Sequence, residues 1–175
     1  LILSHILPSL AIIPLLGFAL LYVLETRFVV PNLLDGLEDD AALLAQLTRH
    51  HPEIWTDPDT AREMLGPPQP NPGKNIVLLT PEGRLLATNS VADAGRLNQT
   101  VEIPRLDQVR SLQMATLTHP DTQVPGTLID VIAPVVTQDQ ELVGIVRLTR
   151  HYDSVTEKLM QLRYPIAAVL MAGVV

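Results

Sequence analysis

The stretch that decides the fold is the segment TLIDVIAPVVTQDQELVGIVRLT, residues 127–149. Two runs rich in valine and isoleucine, 127–136 and 141–149, flank the polar segment TQDQ. Apolar β-branched runs separated by a short polar segment are typical of an antiparallel hairpin. A four-residue loop over 137–140 predicts that Val136 lies opposite Glu141 on the neighbouring strand.

This register gives the predicted hairpin one apolar face and one mixed face. The apolar face pairs Ile129 with Leu148, Val131 with Val146, Ala133 with Gly144, and Val135 with Leu142. The mixed face pairs Leu128 with Thr149, Asp130 with Arg147, Ile132 with Ile145, and Pro134 with Val143. Because Ala133 and Gly144 are small, we expect a helix to pack closely against the centre of the apolar face.

Two helices are predicted ahead of the strands. Leucines and alanines recur at spacings of three and four over 32–49, which predicts an amphipathic helix that Asn32 caps after a break at Pro31. A shorter helix is predicted within 57–66, where an aspartate precedes a proline and a glycine ends the segment. The four prolines of 67–73 exclude both helix and central strand, so this segment is an extended connector.

A second hairpin and an irregular segment complete the predicted domain. The apolar runs 76–80 and 84–89 flank the turn Pro-Glu-Gly and form this hairpin. The irregular segment 91–126 predicts a short helix over 106–112 and a strand over 113–118. The order of elements predicts an α+β fold in which the long N-terminal helix packs on one face of a small antiparallel sheet.

Both ends of the chain are predicted membrane segments. Residues 6–24 form an uncharged run close to the roughly 20 residues that span a hydrocarbon core. A secretory signal is the alternative, but no small-residue cleavage site follows the run. A second uncharged run, YPIAAVLMAGVV over 164–175, is interpreted as the start of another membrane helix. The prediction is a transmembrane helix over 1–24, a polar domain over 25–163 and the start of a second transmembrane helix over 164–175.

Composition excludes several classes of function. A net charge of −7 with 3% aromatic residues is unsuited to nucleic acid, which favours basic surfaces and stacking rings. The chain has no cysteine, which excludes disulfides and cysteine nucleophiles. It also lacks the glycine-rich phosphate loop, the dinucleotide fingerprint, the zinc-protease motif and the nucleophile elbow. We therefore expect no active site, no cofactor and no nucleic-acid partner in this chain.

Two stretches carry a resemblance to a known family. The segments NIVLLTPEGRLLATNS, residues 75–90, and VIAPVVTQDQELVGIVRLTRHYDSV, residues 131–155, lie between the two predicted membrane helices. This arrangement resembles the extracytoplasmic sensor region of bacterial two-component sensor histidine kinases, of the PAS-like, Cache type. The resemblance implies a dimeric, multi-pass receptor of the inner or plasma membrane, whose outer domain over 25–163 responds to a small molecule or an ion.

The resemblance also implies a cytoplasmic output. A histidine kinase would follow the second membrane helix and act on a response regulator, and its motifs are not in this sequence. A chemotaxis transducer or a cyclic-dinucleotide enzyme is the alternative output for the same sensor, and only the downstream sequence separates these. A rival interpretation is an extracytoplasmic protein-binding domain of a transport or division complex, which should expose an apolar patch instead of a polar pocket.

Polar residues of the mixed face and the irregular segment are the candidates for ligand contact. Arginine suits carboxylate or phosphate recognition through its planar fork of donors, and a histidine near pH 7 gives a pH-sensitive contact. Asp130 and Arg147 also fit a purely structural cross-strand pair. The candidate ligand-binding residues are Arg96, Arg110, His119, Asp130 and Arg147.

An acidic group on the long helix offers a weaker alternative. Hard divalent cations bind several carboxylate oxygens, so a cluster of this kind suits cation sensing near a membrane. A solvated helix face explains the same residues. The cluster consists of Asp35, Glu38, Asp39 and Asp40.

A heptad pattern near the end of the chain predicts a parallel homodimer. Its apolar residues recur at alternating spacings of four and three and continue into the second membrane segment. Pro165 interrupts this pattern, since it removes one helical hydrogen bond. The residues of this seam are Val155, Leu159, Leu162, Ile166 and Val169.

Overall fold

A computed structural model describes residues 16–17, 19–20, 22–70, 72–120 and 126–152. The second predicted membrane segment, the heptad seam and most of the first membrane segment lie outside the described residues. Within the described part, no helix has both the length and the apolar character needed to cross a membrane.

The described elements follow the chain in this order. A π turn over Glu25–Val29 leads directly into the first helix, and two short helices, two strands, two further short helices and three strands follow. The helices are α1 (Val30–Arg49), α2 (Glu53–Thr56), α3 (Pro58–Leu65), α4 (Val91–Ala94) and α5 (Leu106–Arg110). The strands are β1 (Asn75–Leu79), β2 (Leu85–Thr88), β3 (Ala115–Pro120), β4 (Thr127–Val136) and β5 (Leu142–Tyr152).

The strands form one antiparallel sheet in the order β2-β1-β5-β4-β3. Strand β5 is central, because it pairs with β1 on one edge and with β4 on the other. Helix α1 packs across β4 and β5 on one face of the sheet. The predicted α+β fold, with a long N-terminal helix on a small antiparallel sheet, is confirmed.

Apolar side chains cover both faces of the sheet. On the α1 face, Leu37 and Ala41 pack with Trp55 of α2 in one buried cluster that includes Val131 and Leu148. On the opposite face, side chains from the irregular segment form a second buried cluster on β1, β4 and β5. That cluster consists of Val77, Leu79, Leu85, Ile103, Val109, Ala115, Ile132 and Ile145. The predicted mixed face is therefore largely apolar and covered, and its polar part is confined to one region.

The register of the β4–β5 hairpin differs from the prediction by two residues. Asp130 lies opposite Thr149 instead of Arg147, and Gly144 lies opposite Val135 instead of Ala133. The loop has three residues, because Thr137 already pairs with Glu141 through a 2.9 Å backbone hydrogen bond. A β-bulge next to this loop then adds the second residue of the shift.

The predicted faces survive this correction except next to the bulge, where Val143, predicted on the mixed face, packs against the cluster on the α1 face. A shift by two residues keeps every side chain on its own side of the pleated strand, whereas a shift by one would reverse them all. Gly144 accordingly faces the helical side, where it meets Trp55. Ala133 lies in the same buried cluster.

The first helix begins earlier than predicted. Pro31 and Asn32 do not break or cap it, since α1 starts at Val30 directly after the π turn. A proline inside a regular α-helix clashes with the carbonyl four residues earlier, which here belongs to Arg27. The wider π turn at this point accommodates Pro31 without ending the helix.

The boundaries of α3, α5 and β3 lie within two residues of the predicted ones. Asp57 caps α3 as predicted, and its carboxylate accepts hydrogen bonds from the backbone of Asp59 and Thr60. Helix α5 ends at Arg110 instead of residue 112, because Leu112 adopts a left-handed backbone with φ of 63°. The strand predicted over 113–118 accordingly begins later, at Ala115.

Replacing Gly144 with alanine should destabilise the domain. An added Cβ would lie 2.0 Å from Cε3 of Trp55, and the indole cannot swing away freely because its Nε1 donates to the Thr48 carbonyl over 3.3 Å. Overpacking of this kind typically costs about 1–3 kcal/mol. Urea unfolding followed by fluorescence of Trp55, the only tryptophan of the chain, measures the change.

Gly95→Ala is the matched control for this substitution. Nothing lies within 4 Å of a Cβ built at Gly95, and its φ of −69° suits alanine. An unfolding midpoint of Gly144→Ala equal to that of Gly95→Ala would contradict the close packing of Trp55 on β5.

Candidate functional site

The candidate site is a polar cluster around Asp130 on the face of the sheet opposite α1. Asp130 is fully buried, with 0% of its side chain exposed. Nη2 of Arg147 donates to Oδ2 over 2.6 Å, and Nε of the same side chain donates to Oδ1 over 3.3 Å. Thr149 donates its hydroxyl to Oδ1. Nε2 of His119 lies 3.0 Å from Oδ2.

Three neighbouring strands position these side chains. Thr149 lies directly opposite Asp130, and Arg147 lies two residues before Thr149 on the same face of β5. Its long side chain therefore reaches Asp130 diagonally. On the other side of β4, Leu117 lies opposite Asp130, which places His119 on the adjacent diagonal.

The cluster keeps Asp130 ionised. Burial raises the pKa of this carboxyl, but the hydrogen bonds and positive charge of Arg147 lower it, with further hydrogen bonds from Thr149 and His119. The net effect is a pKa below the ordinary value of 3.8. Because an ionised carboxylate only accepts hydrogen bonds, Nε2 of His119 carries the proton of their contact.

This arrangement is chemically suited to holding an anion at its outer side. The side chain of Arg147 is 21% exposed and that of His119 is 41% exposed, whereas their carboxylate partner is buried. A guanidinium has five N–H donors, and two of them are used by Asp130. The buried carboxylate fixes the orientation of Arg147 and leaves three of its N–H donors unused by Asp130.

Two predicted candidates lie away from this cluster. Arg96 is exposed after α4, where its Nη1 lies 3.9 Å from a carboxylate oxygen of Asp93. Arg110 is exposed at the end of α5. The structure therefore brings together His119, Asp130 and Arg147 from the predicted set, and it does not bring Arg96 or Arg110 to them.

The acidic residues of α1 do not form one group, because two of them contact different partners and the other two are exposed. Glu38 accepts a hydrogen bond of 2.6 Å from Thr116 on the edge strand β3. Asp40 forms an ion pair with Lys74, while Asp35 and Asp39 are exposed. Among the described residues, no three histidine, aspartate or glutamate side chains are grouped so that they could hold a metal ion.

A second buried carboxylate was missed by the sequence analysis. Glu25 in the π turn is 5% exposed and accepts a hydrogen bond of 2.9 Å from the hydroxyl of Tyr152 at the end of β5. A pocket of about 270 Å³ lies beside this contact. The only signal in the sequence is that Glu25 is the first charged residue after the apolar run.

No protein-family model and no curated protein sequence matches this chain. Among solved structures it is similar to the sensor domain of E. coli DcuS, with 12% identity, a TM-score of 0.44, and coverage of 67% of this chain and 90% of that chain. It is also similar to the PAS domain of Bordetella pertussis BvgS, with 16% identity, a TM-score of 0.37, and coverage of 62% and 96%. A light-oxygen-voltage domain matches with 9% identity, a TM-score of 0.37, and coverage of 54% and 88%. These likenesses concern the fold alone.

Asp130→Asn should destabilise the domain and remove part of its acid sensitivity. The substitution leaves Arg147 without its charged partner, and breaking a buried ion pair costs about 3–5 kcal/mol. Since the pKa of Asp130 is lowered in the folded state, its contribution to the free energy of unfolding is complete above about pH 3.8 and is lost as the pH falls through the lower folded value. Urea unfolding at a series of acidic pH values measures both effects.

Asp59→Asn provides the control, because Asp59 is 83% exposed in its ion pair with Arg62. An exposed pair of this kind contributes about 0–1 kcal/mol. If Asp130→Asn behaves like Asp59→Asn, the cluster does not stabilise the sheet.

Proposed function

We propose that this chain is the signal-input region of a membrane receptor. In this proposal the domain over 25–163 lies outside the cytoplasm, between the two predicted membrane segments. It responds to a small molecule or ion and has no enzymatic activity of its own. The sequence resemblance described above supports the proposal.

One structural observation carries the proposal, namely the position of β5. This central strand contributes Arg147 and Thr149 to the polar cluster and ends at Tyr152, which contacts Glu25 at the base of the first helix. A displacement at the cluster would therefore reach, along one hydrogen-bonded strand, Glu25, the residue that directly follows the first predicted membrane segment. Packed and paired elements of this kind transmit displacement better than a flexible linker.

The proposed ligand contacts are His119 and Arg147 at the outer side of the cluster. Both are partly exposed, and both are cationic or able to become so. A carboxylate or another small anion suits these donors. Asp130 orients them and, being buried, does not contact the ligand itself.

The proposed output is cytoplasmic. A histidine kinase that phosphorylates a response regulator fits the resemblance best, and a chemotaxis transducer or a cyclic-dinucleotide enzyme would use the same input. The receptor is proposed to be a parallel homodimer, joined through the heptad seam that begins at Val155 outside the described residues.

An exposed apolar patch supports a second candidate function. Leu43 and Leu47 on α1 are 55% and 53% exposed, and Met64 on α3 is 39% exposed. A groove of about 440 Å³ adjoins Leu47 and Met64. These features suit the alternative of an extracytoplasmic protein-binding domain. Leu47→Glu would abolish binding of a protein partner in that case, and it would leave a response to small anions unchanged.

Single-cysteine labelling tests the proposed topology. The chain has no native cysteine, and Gln138 is exposed in the loop between β4 and β5. In spheroplasts, a membrane-impermeant maleimide should label Gln138→Cys without permeabilisation. A cysteine added ahead of Leu1, on the other side of the first predicted membrane segment, should be labelled only after permeabilisation. Labelling of Gln138→Cys only in permeabilised cells would exclude an extracytoplasmic receptor domain.

A further inference from the structure

The base of the first helix is tied to the end of the last strand by a buried polar contact. Glu25 and Tyr152 are separated by 127 positions in the sequence, and their side chains meet at 2.9 Å. A buried carboxylate requires hydrogen-bond partners, because its burial is otherwise unfavourable. This contact with the sheet therefore fixes the rotational position of the helix at Glu25, here called its phase, which decides the residue that faces Tyr152.

The π turn sets this phase. The backbone N–H of Val30 donates to the carbonyl of Glu25, five residues earlier. In a regular α-helix the same N–H would donate to Thr26, four residues earlier. The π turn thus holds one extra residue, so that Glu25 is buried against Tyr152 while Thr26 is exposed. Without it, Thr26 would occupy the place of Glu25.

Pro31 stabilises the π arrangement against this alternative. A regular helix would bring the proline ring against the Arg27 carbonyl, which costs energy in any helix interior. Two features therefore favour the π arrangement, the proline on one side and the Glu25–Tyr152 hydrogen bond on the other. Both act at the base of the helix.

There is room beside the contact for a change of phase. The pocket of about 270 Å³ is bounded by the helix base on one side and by the ends of the strands on the other. Its lining residues are Tyr22, Glu25, Thr26, Val30, Thr118, Thr127, Ile129 and Tyr152. Rotation of the helix base moves side chains within or next to this space and leaves the buried clusters in place.

We propose that the base of the first helix is a two-state element. In one state the π turn is present and Glu25 accepts from Tyr152. In the other the turn becomes α-helical, Thr26 takes the buried position and the segment before Glu25 rotates. The occupancy of the two states is set at Tyr152, the end of β5. Use of this rotation in signalling rests on the proposed receptor function, whereas the two states themselves do not.

Spin-label distances in the full chain in lipid nanodiscs test the proposal. One label replaces Leu20, ahead of the π turn, and the other replaces Gln113 on the sheet side, and both sites are exposed. Tyr152→Phe removes the hydroxyl, and Pro31→Ala removes the clash that disfavours the α-helical state. Each should add a second distance, shifted by up to about 8 Å, because one residue of helix corresponds to a rotation of about 100° at a radius of roughly 5 Å.

Deletion of Thr26 distinguishes a rotation of the helix base from fraying of the helix. The deletion is made together with Pro31→Ala, because Pro31 would otherwise still clash with the Arg27 carbonyl in a regular helix. The combined change removes the extra residue and leaves Glu25 opposite Tyr152 in a regular helix, so Tyr152→Phe in that background should show one distance. Tyr22→Phe, which alters an exposed tyrosine of the same pocket, should leave the wild-type distance unchanged. The fluorescence of Trp55 reports whether each variant keeps its core.

Three results would overturn the proposal. The first is a single wild-type distance in both Tyr152→Phe and Pro31→Ala. Another is a second distance for Tyr152→Phe that persists after deletion of Thr26, since this indicates fraying of the helix. The third is an equal shift in Tyr22→Phe. The measurement does not depend on any signalling output, so its failure and the failure of the receptor function are distinguishable.

Discussion

Strand β5 is hydrogen-bonded along both of its edges, and the rest of the domain depends on this central position. Its pairing with β1 attaches the first hairpin to the sheet, and its pairing with β4 attaches the second hairpin and, through it, β3. Isolated two-stranded hairpins are marginally stable in water, whereas a wider sheet with a covered face is stable. Every other layer of the domain packs on the surface that β5 completes.

The two faces of β5 serve different purposes. On the α1 face, the missing side chain of Gly144 allows Trp55 to lie directly on the strand. On the other face, Arg147 and Thr149 bind the buried carboxylate of Asp130. A movement of β5 would disturb both contacts at once, because a β-strand shifts as a unit within its ladder. Tyr152 extends the same dependence to the base of the first helix.

The fold was largely predictable from the sequence, and the register was not. The apolar alternation of 127–149 determined which side chains face the helix, and an even shift of register left that assignment intact. The shift itself arose from Gln140, which adopts a left-handed φ of 61° that is uncommon outside glycine and asparagine. No residue in TQDQ signals the three-residue loop that follows from it, or the bulge beside it.

The polar contacts were predictable only in part. The Asp130–Arg147 contact was anticipated and exists despite the wrong register, because a long arginine side chain reaches a diagonal neighbour. The contribution of His119 depends on the pairing of β3 with β4. The segment between them, DTQVPG, contains the turn dipeptide Pro-Gly, but one dipeptide in a segment of this length does not fix the register. The contact of Glu25 with Tyr152 joins residues at opposite ends of the domain, and no local pattern relates them. Pro31 was predicted to break a helix that instead continues through it, directly after the π turn.

The central proposal is that β5 carries a signal from the polar cluster to the base of the first helix. A chimera in which this chain precedes the cytoplasmic part of a kinase with a transcriptional reporter tests that claim most directly. At equal expression, Arg147→Ala at the cluster and Tyr152→Phe at the end of β5 should each change the basal output, and the double variant should resemble Tyr152→Phe alone, because the second site lies downstream of the first. Basal output that is the same in wild type, both single variants and the double variant would contradict the account.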